Sequence, residues 1–201
     1  MEHVVHLARD KKLKTVIQKQ ESVKLTRRKK IHLYLCGSIM SQQLSTKVAK
    51  VIHKRFMNLF DKDPGPEDIL AIPLETLRSI GLSHAKTNYV HNVARFSIEK
   101  GIQFDKLNKM GNEEVIAYIT QIKGVGRWTA EMLLMFALGR EDIFCIDDLG
   151  IQNAMKKIYR LEGLEKKEFR EALQRISEKW SPYRTFACMY LWRWKDNSPG
   201  K

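Results

Sequence analysis

Apolar residues along this chain recur every three to four positions, the period of a helix packed on one side. In STKVAKVIHKRFMNLF the residues Val48, Val51, Ile52, Phe56, Leu59 and Phe60 share one face, and Ser45 stands where an N-cap is needed. DPGPEDILAIP reads as a loop and a short helix. Pro73 suits the first turn of PLETLRSIG and Gly81 its stop, while Ser83 caps HAKTNYVHNVARFSIEK, which runs to Gly101. NEEVIAYIT takes Asn112 as its cap and carries acids in its first turn, where the helix dipole favours them. Another helix begins near Arg127 and carries Met132, Leu133, Phe136 and Ala137 up to Gly139. DIFCI is a short extended run, after which Asp147-Asp148 opens a helix from Leu149 towards Tyr159. EKKEFREALQRISEKW is amphipathic, and SPYRTFACMYLWRW has a Ser181 cap, Pro182 in its first turn, and Phe186, Tyr190 and Trp194 on a core face. No hairpin signal joins two strands and no repeat period is present, so the pattern predicts an all-α domain. Residues 1–3 and 197–201 are expected to fray.

Charge changes this picture most. The 201 residues include 36 Lys+Arg against 23 Asp+Glu, a net charge of +13, which points to a polyanionic partner such as nucleic acid. No apolar run approaches the roughly 18 residues of a membrane span, and MEHVVHLARDKKLK has no secretory apolar core, so no membrane partner is expected. Cys36, Cys145 and Cys188 are far apart and form no Cys-x-x-Cys or Cys/His cluster. That spacing argues against zinc, an iron–sulfur cluster or a disulfide framework and for buried, reduced thiols. The six histidines make no ligand pair.

The densest chemistry lies in QIKGVGRWTAEMLLMFALG. Gly124-Val125-Gly126 lets the backbone approach another surface, and it opens a helix whose first amide N–H groups lack partners inside the helix. With Lys123 and Arg127 beside it, this is a natural site for a phosphate. A tight turn between two helices would use the same two glycines. No strand precedes the turn and no Gly-Lys-Ser/Thr follows it, so it is not a P-loop. About twenty residues on, Asp147 and Asp148 stand together at a helix start. One suffices as a cap, and the other is then available for chemistry.

In combination these segments resemble the helix-hairpin-helix DNA glycosylase superfamily. IKGVGRWTAEMLLMFALGREDIFCIDDLGIQNAM resembles its hairpin and catalytic-aspartate signature, SIMSQQLSTKVA the loop it pushes into DNA, and RSIGLSHAKTNYVHNVA its middle helices. WSPYRTFACMYLWRW is similar to the C-terminal helix of the 3-methyladenine DNA glycosylase II family. The match runs from about Leu33 to Trp194 and leaves no room for the extra N-terminal β-rich domain of some bacterial members, so the compact form is implied. The resemblance implies a two-lobed helical fold, with a central lobe at 37–140, a second lobe from 1–36 plus 141–201, and an active site in the cleft between them.

It further implies that Asp148 is the catalytic acid, with Asp147 as helper or cap. Trp128 and Trp192 become pocket aromatics, and Gln43 and Leu44 the inserting residues of the 42–45 loop. Lys123, Gly124, Val125, Gly126 and Arg127 hold the DNA backbone, and the carbonyls of Thr120, Ile122 and Val125 hold a monovalent cation facing a phosphate. A fixed carboxylate stabilises the positive charge that builds on the sugar as the N-glycosidic bond breaks. Indoles attract cationic alkylated purines by stacking and cation–π contact, worth about 0.5–2 kcal/mol. Endonuclease III-like relatives carry a catalytic lysine where Trp128 stands and a four-cysteine cluster that this chain lacks.

The expected function is therefore a monomeric, monofunctional hydrolase of base excision repair. It would excise alkylated purines such as 3-methyladenine from double-stranded DNA without a required cofactor. It would work in the cytoplasm with the nucleoid, or in a eukaryotic nucleus. A glycosylase for deaminated or oxidised bases, or a non-catalytic hairpin DNA binder, would share most of these features, but a pure binder has no use for Asp148 facing DNA.

The charge carries its own test. Affinity for undamaged duplex should fall steeply as salt rises, because each neutralised phosphate releases counterions. A nearly flat salt titration would remove the phosphate reading of both the hairpin and the +13 charge.

Overall fold

Ser45 and Ser83 act as the spacing asks: each side chain accepts a backbone N–H, from Val48 and Lys86 respectively, and starts a helix. The computed structural model describes residues 1–197. Its helices, in chain order, are α1 (Glu2–Leu7), α2 (Lys11–Ile17), α3 (Ile31–Ser41), α4 (Thr46–Met57), α5 (Pro66–Ala71), α6 (Leu74–Ser79) and α7 (His84–Glu99). There follow α8 (Phe104–Asn108), α9 (Asn112–Ile119), α10 (Arg127–Phe136), α11 (Leu149–Tyr159), α12 (Lys166–Glu178) and α13 (Arg184–Asn197). No strand occurs among the described residues, and DIFCI is extended backbone without a β partner. Among the described residues no helix is long and apolar enough to cross a membrane.

The chain divides into two units, Arg27–Leu138 and the pair of segments Met1–Thr26 and Gly139–Lys201. In the first unit α3 packs on α4, α7 and α10, and α7 also packs on α5 and α6. Leu35, Ile39, Ile69, Leu77, Val90, Val93 and Leu133 are fully buried. The segment 27–36, expected with the second lobe, groups here because most of α3 lies in this core. In the other unit α13 packs on α2 and α11, around Leu13, Ile151, Met155, Trp180, Tyr190 and Leu191. Cys36, Cys145 and Cys188 are buried free thiols, and burial pushes the Cys36 thiol up to about 12.

Several local expectations are corrected. Val48 and Val51 are each 45% exposed although Ile52 and Phe56 on the same helix are buried, because α4 packs chiefly on α3 and its apolar stripe is wider than that contact. Leu59 and Phe60 lie beyond the end of α4. Gly111, not Asn112, is the N-cap of α9, with the Glu114 carboxylate accepting the Gly111 N–H at 2.6 Å. Helix α13 starts at Arg184, so Ser181 and Pro182 form a turn before it. Residues 1–3 do not fray: α1 starts at Glu2, and His3 is buried with its ring stacked 4.0 Å from that of Phe186. Of the other end expected to fray, residues 198–201 lie outside the described residues.

Asp10 ties the N-terminal segment to the end of the chain. Its Oδ1 accepts the Lys12 and Leu13 N–H groups at 3.0 and 3.1 Å and caps α2. Its Oδ2 accepts the Tyr159 hydroxyl at 2.7 Å and the Trp180 indole N–H at 3.1 Å. Burial alone would raise its pKa, but these four donors outweigh burial and hold it below the usual carboxylate range. A depressed carboxylate contributes stability that is present above its unfolded-state pKa and is lost as pH falls through its folded one. Asp10→Asn should therefore lower stability near neutrality by about 1–3 kcal/mol and flatten the acid limb of the stability profile. Urea unfolding near neutrality and at about pH 3 checks this. Equal losses on acidification in the parent and the variant would show that Asp10 is not the linked group.

Candidate active site and nucleic-acid interface

The catalytic candidate is placed by staples on the extended run before it. The Ile143 N–H donates to Thr185 Oγ1 at 3.0 Å, and that hydroxyl donates to the Arg140 carbonyl at 2.7 Å. Arg184 grips both carboxylate oxygens of Asp142, at 2.7 and 2.8 Å. Its hydrogen bonds and charge outweigh the effect of burial and keep the Asp142 carboxyl below the ordinary range. The run is thus pinned to the first turn of α13 and delivers Asp148 to the head of α11.

There Asp148 Oδ1 accepts two hydrogen bonds, from the Ile151 N–H at 2.8 Å and from the Trp192 indole N–H at 2.9 Å. The cap and the indole together fix the half-buried carboxylate in a single orientation. Gly150, which sequence reasoning missed, makes this possible. A Cβ there would lie 2.9 Å from Asp148 Oδ1 and 3.1 Å from Trp192 Cδ1. The available signal was a glycine in the first turn of a helix, where propensity disfavours it. Asp147 turns elsewhere: it is exposed and pairs with Arg170 on α12.

The hairpin lies in the other unit. Gly124 has φ +104°, and a Cβ on it would fall 2.2 Å from the Tyr89 ring, so the turn requires glycine. Val125 and Ile122 are buried, and the Val125 N–H donates to the Ile122 carbonyl at 2.9 Å. Gly126 is the N-cap of α10 and faces open space. Its side of the turn is where another surface can approach the first N–H groups of α10. Lys123 is exposed. Arg127 is not the loose cation that its position suggested. It grips both oxygens of Glu113 at 2.7 and 3.0 Å and donates to the buried Glu131 at 3.1 Å. The hydrogen bonds from Arg127 hold the Glu113 carboxyl below its usual range.

Gln43, Leu44 and Trp128 come together. They line one groove of about 1130 Å³ with Tyr34, Met132 and Phe136, and Arg28, Lys50 and Lys54 add positive charge. Trp128 is 47% exposed and Leu44 38%, so neither is a core residue. Trp192, the other residue expected as a pocket aromatic, donates its indole N–H to Asp148. Among the described residues no group of three or more His, Cys, Asp or Glu could hold a metal ion.

The family described as HhH-GPD superfamily base excision DNA repair protein matches residues 36–179. DNA-3-methyladenine glycosylase 1 of Schizosaccharomyces pombe is 37% identical over 162 residues, covering 79% of this chain and 70% of its own. The solved structure of the 3-methyladenine DNA glycosylase Mag1 of that organism, in complex with abasic DNA, superposes with a TM-score of 0.84 at 32% identity, covering 96% of each chain. A DNA-3-methyladenine glycosidase of Bacillus halodurans superposes with a TM-score of 0.82 at 33% identity, over 96% of this chain and 88% of that one.

Gly150 gives a test that needs no substrate. Glycine to alanine inside a helix ordinarily stabilises by about 0.5–1 kcal/mol. Here Gly150→Ala should instead destabilise by about 1–3 kcal/mol, the range for disturbing a buried hydrogen-bonded group. It should also move the Trp192 indole N–H resonance to the position it takes in Asp148→Ala. An unshifted resonance in a folded Gly150→Ala variant would remove the close-approach requirement.

Proposed function

The chain belongs to the HhH-GPD superfamily of base excision DNA repair proteins, and within it we propose a monofunctional glycosylase that excises alkylated purines by hydrolysis. It is a DNA glycosylase of base excision repair, and its partner is DNA. The observation that carries the mechanistic reading is the Asp148 carboxylate held by the Ile151 N–H and the Trp192 indole. The relatives named for 3-methyladenine support the alkylated-purine substrate, as do the indoles of Trp128 and Trp192.

The base must leave the stack, which takes a few kcal/mol. Gln43 and Leu44, exposed at the tip of the 42–45 loop, fill the gap it leaves. Lys123 and the turn from Gly124 to Gly126 receive a phosphate at the N-terminus of α10 without reading sequence. Arg127 contributes once Glu113 yields to that phosphate. The carbonyls of Thr120, Ile122 and Val125 would hold a monovalent cation there. Ile122 already accepts one N–H and has a second lone pair to offer, so the donor set suits a weakly held hard ion, which would add positive charge beside the phosphate.

As the glycosidic bond breaks, the base departs with the bonding electrons and the sugar becomes cationic. Asp148 stabilises that cation, orients the water that attacks it and accepts the proton which that water loses. Trp128 stacks on the electron-poor base within the groove. Asp147, neutralised by Arg170, has the lesser part. The resemblance puts Trp128 where relatives carry a sugar-attacking lysine, which supports hydrolysis by water. The protein acts as a monomer, with the nucleoid in a prokaryote or in the nucleus of a eukaryote.

Asp148→Asn keeps a good N-cap and removes the charge. It should abolish most base release while duplex binding persists or tightens, and Asp147→Asn should have the smaller effect. Excision by the parent should leave a backbone that breaks only on later alkali or heat. Borohydride added during excision should trap no covalent complex above the Asp148→Asn level. Near-parental excision by Asp148→Asn would sink the catalytic assignment, and an Asp148-dependent trapped band would sink the monofunctional one.

A further inference from the structure

Helix α7 carries three contacts that neither the hairpin nor the loop explains alone. Lys86, Tyr89 and Asn92 follow one another at three-residue spacing on one face. The Lys86 ammonium donates to the carbonyls of Met40 and Gln42 at 3.0 and 2.6 Å, where α3 ends and the 42–45 loop begins. The Tyr89 ring fills the space that a Cβ on Gly124 would need. The Asn92 side chain donates to the Lys123 carbonyl at 3.2 Å. A direct tie completes the set, the Gln42 side-chain amide donating to the Gly124 carbonyl at 3.3 Å.

We propose that this face of α7 sets the distance between the inserting loop and the phosphate-holding hairpin, and that Lys86 is a positioning residue for base flipping. The inference rests on the reading that residues 42–45 enter DNA and the hairpin grips its backbone. A lysine withdrawn from water loses hydration and is favoured only where it gains compensating bonds. Burial does push the Lys86 pKa below that of an ordinary lysine. Its bonds are to carbonyls at the C-terminal end of a helix, where a cation is favoured. Gln43, the next residue, stands at φ +58°, a strained conformation for a residue other than glycine. With Met40 and Gln42 anchored on either side of the turn into it, the loop meets DNA already ordered, and less entropy is lost on insertion.

Insertion can be read without chemistry on a duplex carrying 2-aminopurine beside a tetrahydrofuran abasic analogue, and grip as affinity for undamaged duplex. Lys86→Met should weaken the insertion-dependent fluorescence change by about 10–100-fold in apparent affinity, the scale of a small misplacement of a working group. Affinity for undamaged duplex should change by less than about 3-fold, since one charge is removed among many. Lys86→Arg, which can still reach two carbonyls, should restore most of the insertion signal. If Lys86→Met does not fold, Lys86→Gln, too short to reach both the Met40 and Gln42 carbonyls, should show the same split. Parental insertion by these variants, or equal losses of insertion and grip, would overturn the role of Lys86. The control is Gln43→Ala with Leu44→Ala. Loss of signal there beside an unaffected Lys86→Met rejects only the positioning role. An unchanged signal there rejects the insertion reading and the inference with it.

Discussion

A glycine without a side chain decides where the Asp148 carboxylate can sit. Asp148 and Trp192 are 44 residues apart in sequence, yet the indole N–H reaches Oδ1 at 2.9 Å because nothing projects from Gly150 between them. The extended run before Asp148 is stapled to Thr185 and Arg184, and the same α13 that supplies those staples supplies Trp192. One helix therefore sets both the approach of the backbone and the orientation of the acid. A capping aspartate is usually worth about 0.5–2 kcal/mol to its helix. Here the same oxygen also accepts an indole proton, so the cap is locked in a direction that stability alone does not demand.

The hairpin repeats that logic with different chemistry. Gly124 is required by the Tyr89 ring and by its own backbone conformation, whereas Gly126 has neither constraint and faces open space. The two glycines of one short motif thus have different causes. One is determined by the protein's interior, and the other leaves room for something outside it. That asymmetry supports a surface approaching from the Gly126 side, and it is invisible in the pattern Gly-x-Gly.

What could be read in the sequence was whatever is decided locally. Ser45 and Ser83 act within three residues of themselves, so the spacing revealed them. The all-helical class followed from apolar periodicity for the same reason. The spacing left open which of Asp147 and Asp148 caps α11, and the structure gives that role to Asp148. Some misses were local, such as the cap of α9 at Gly111, one residue before Asn112, but the larger ones depend on residues distant in sequence. Val48 and Val51 are apolar at helical spacing, but the width of the α3 contact decides which of them is covered. The charge of Arg127 is plain in the sequence, and its capture by Glu113, fourteen residues earlier, is not. Lys86 reads as one more solvated cation until Met40 and Gln42 are seen to end a helix against it.

In the proposed reading, Arg127 is a cation oriented before its anion arrives. Glu131 is 6% exposed at its side chain and holds the guanidinium by Nε, while Glu113 is 73% exposed and takes the other edge. An ion pair as open as the second contributes only about 0–1 kcal/mol, since water and salt compete for both partners. A bidentate phosphate contact to the same edge forms a charge-assisted pair of similar geometry. In that reading Glu113 gives up little when displaced, while the Nε contact to Glu131 holds the guanidinium in place. The Coulomb attraction of the rest of the +13 surface then has to supply only the approach, not the orientation.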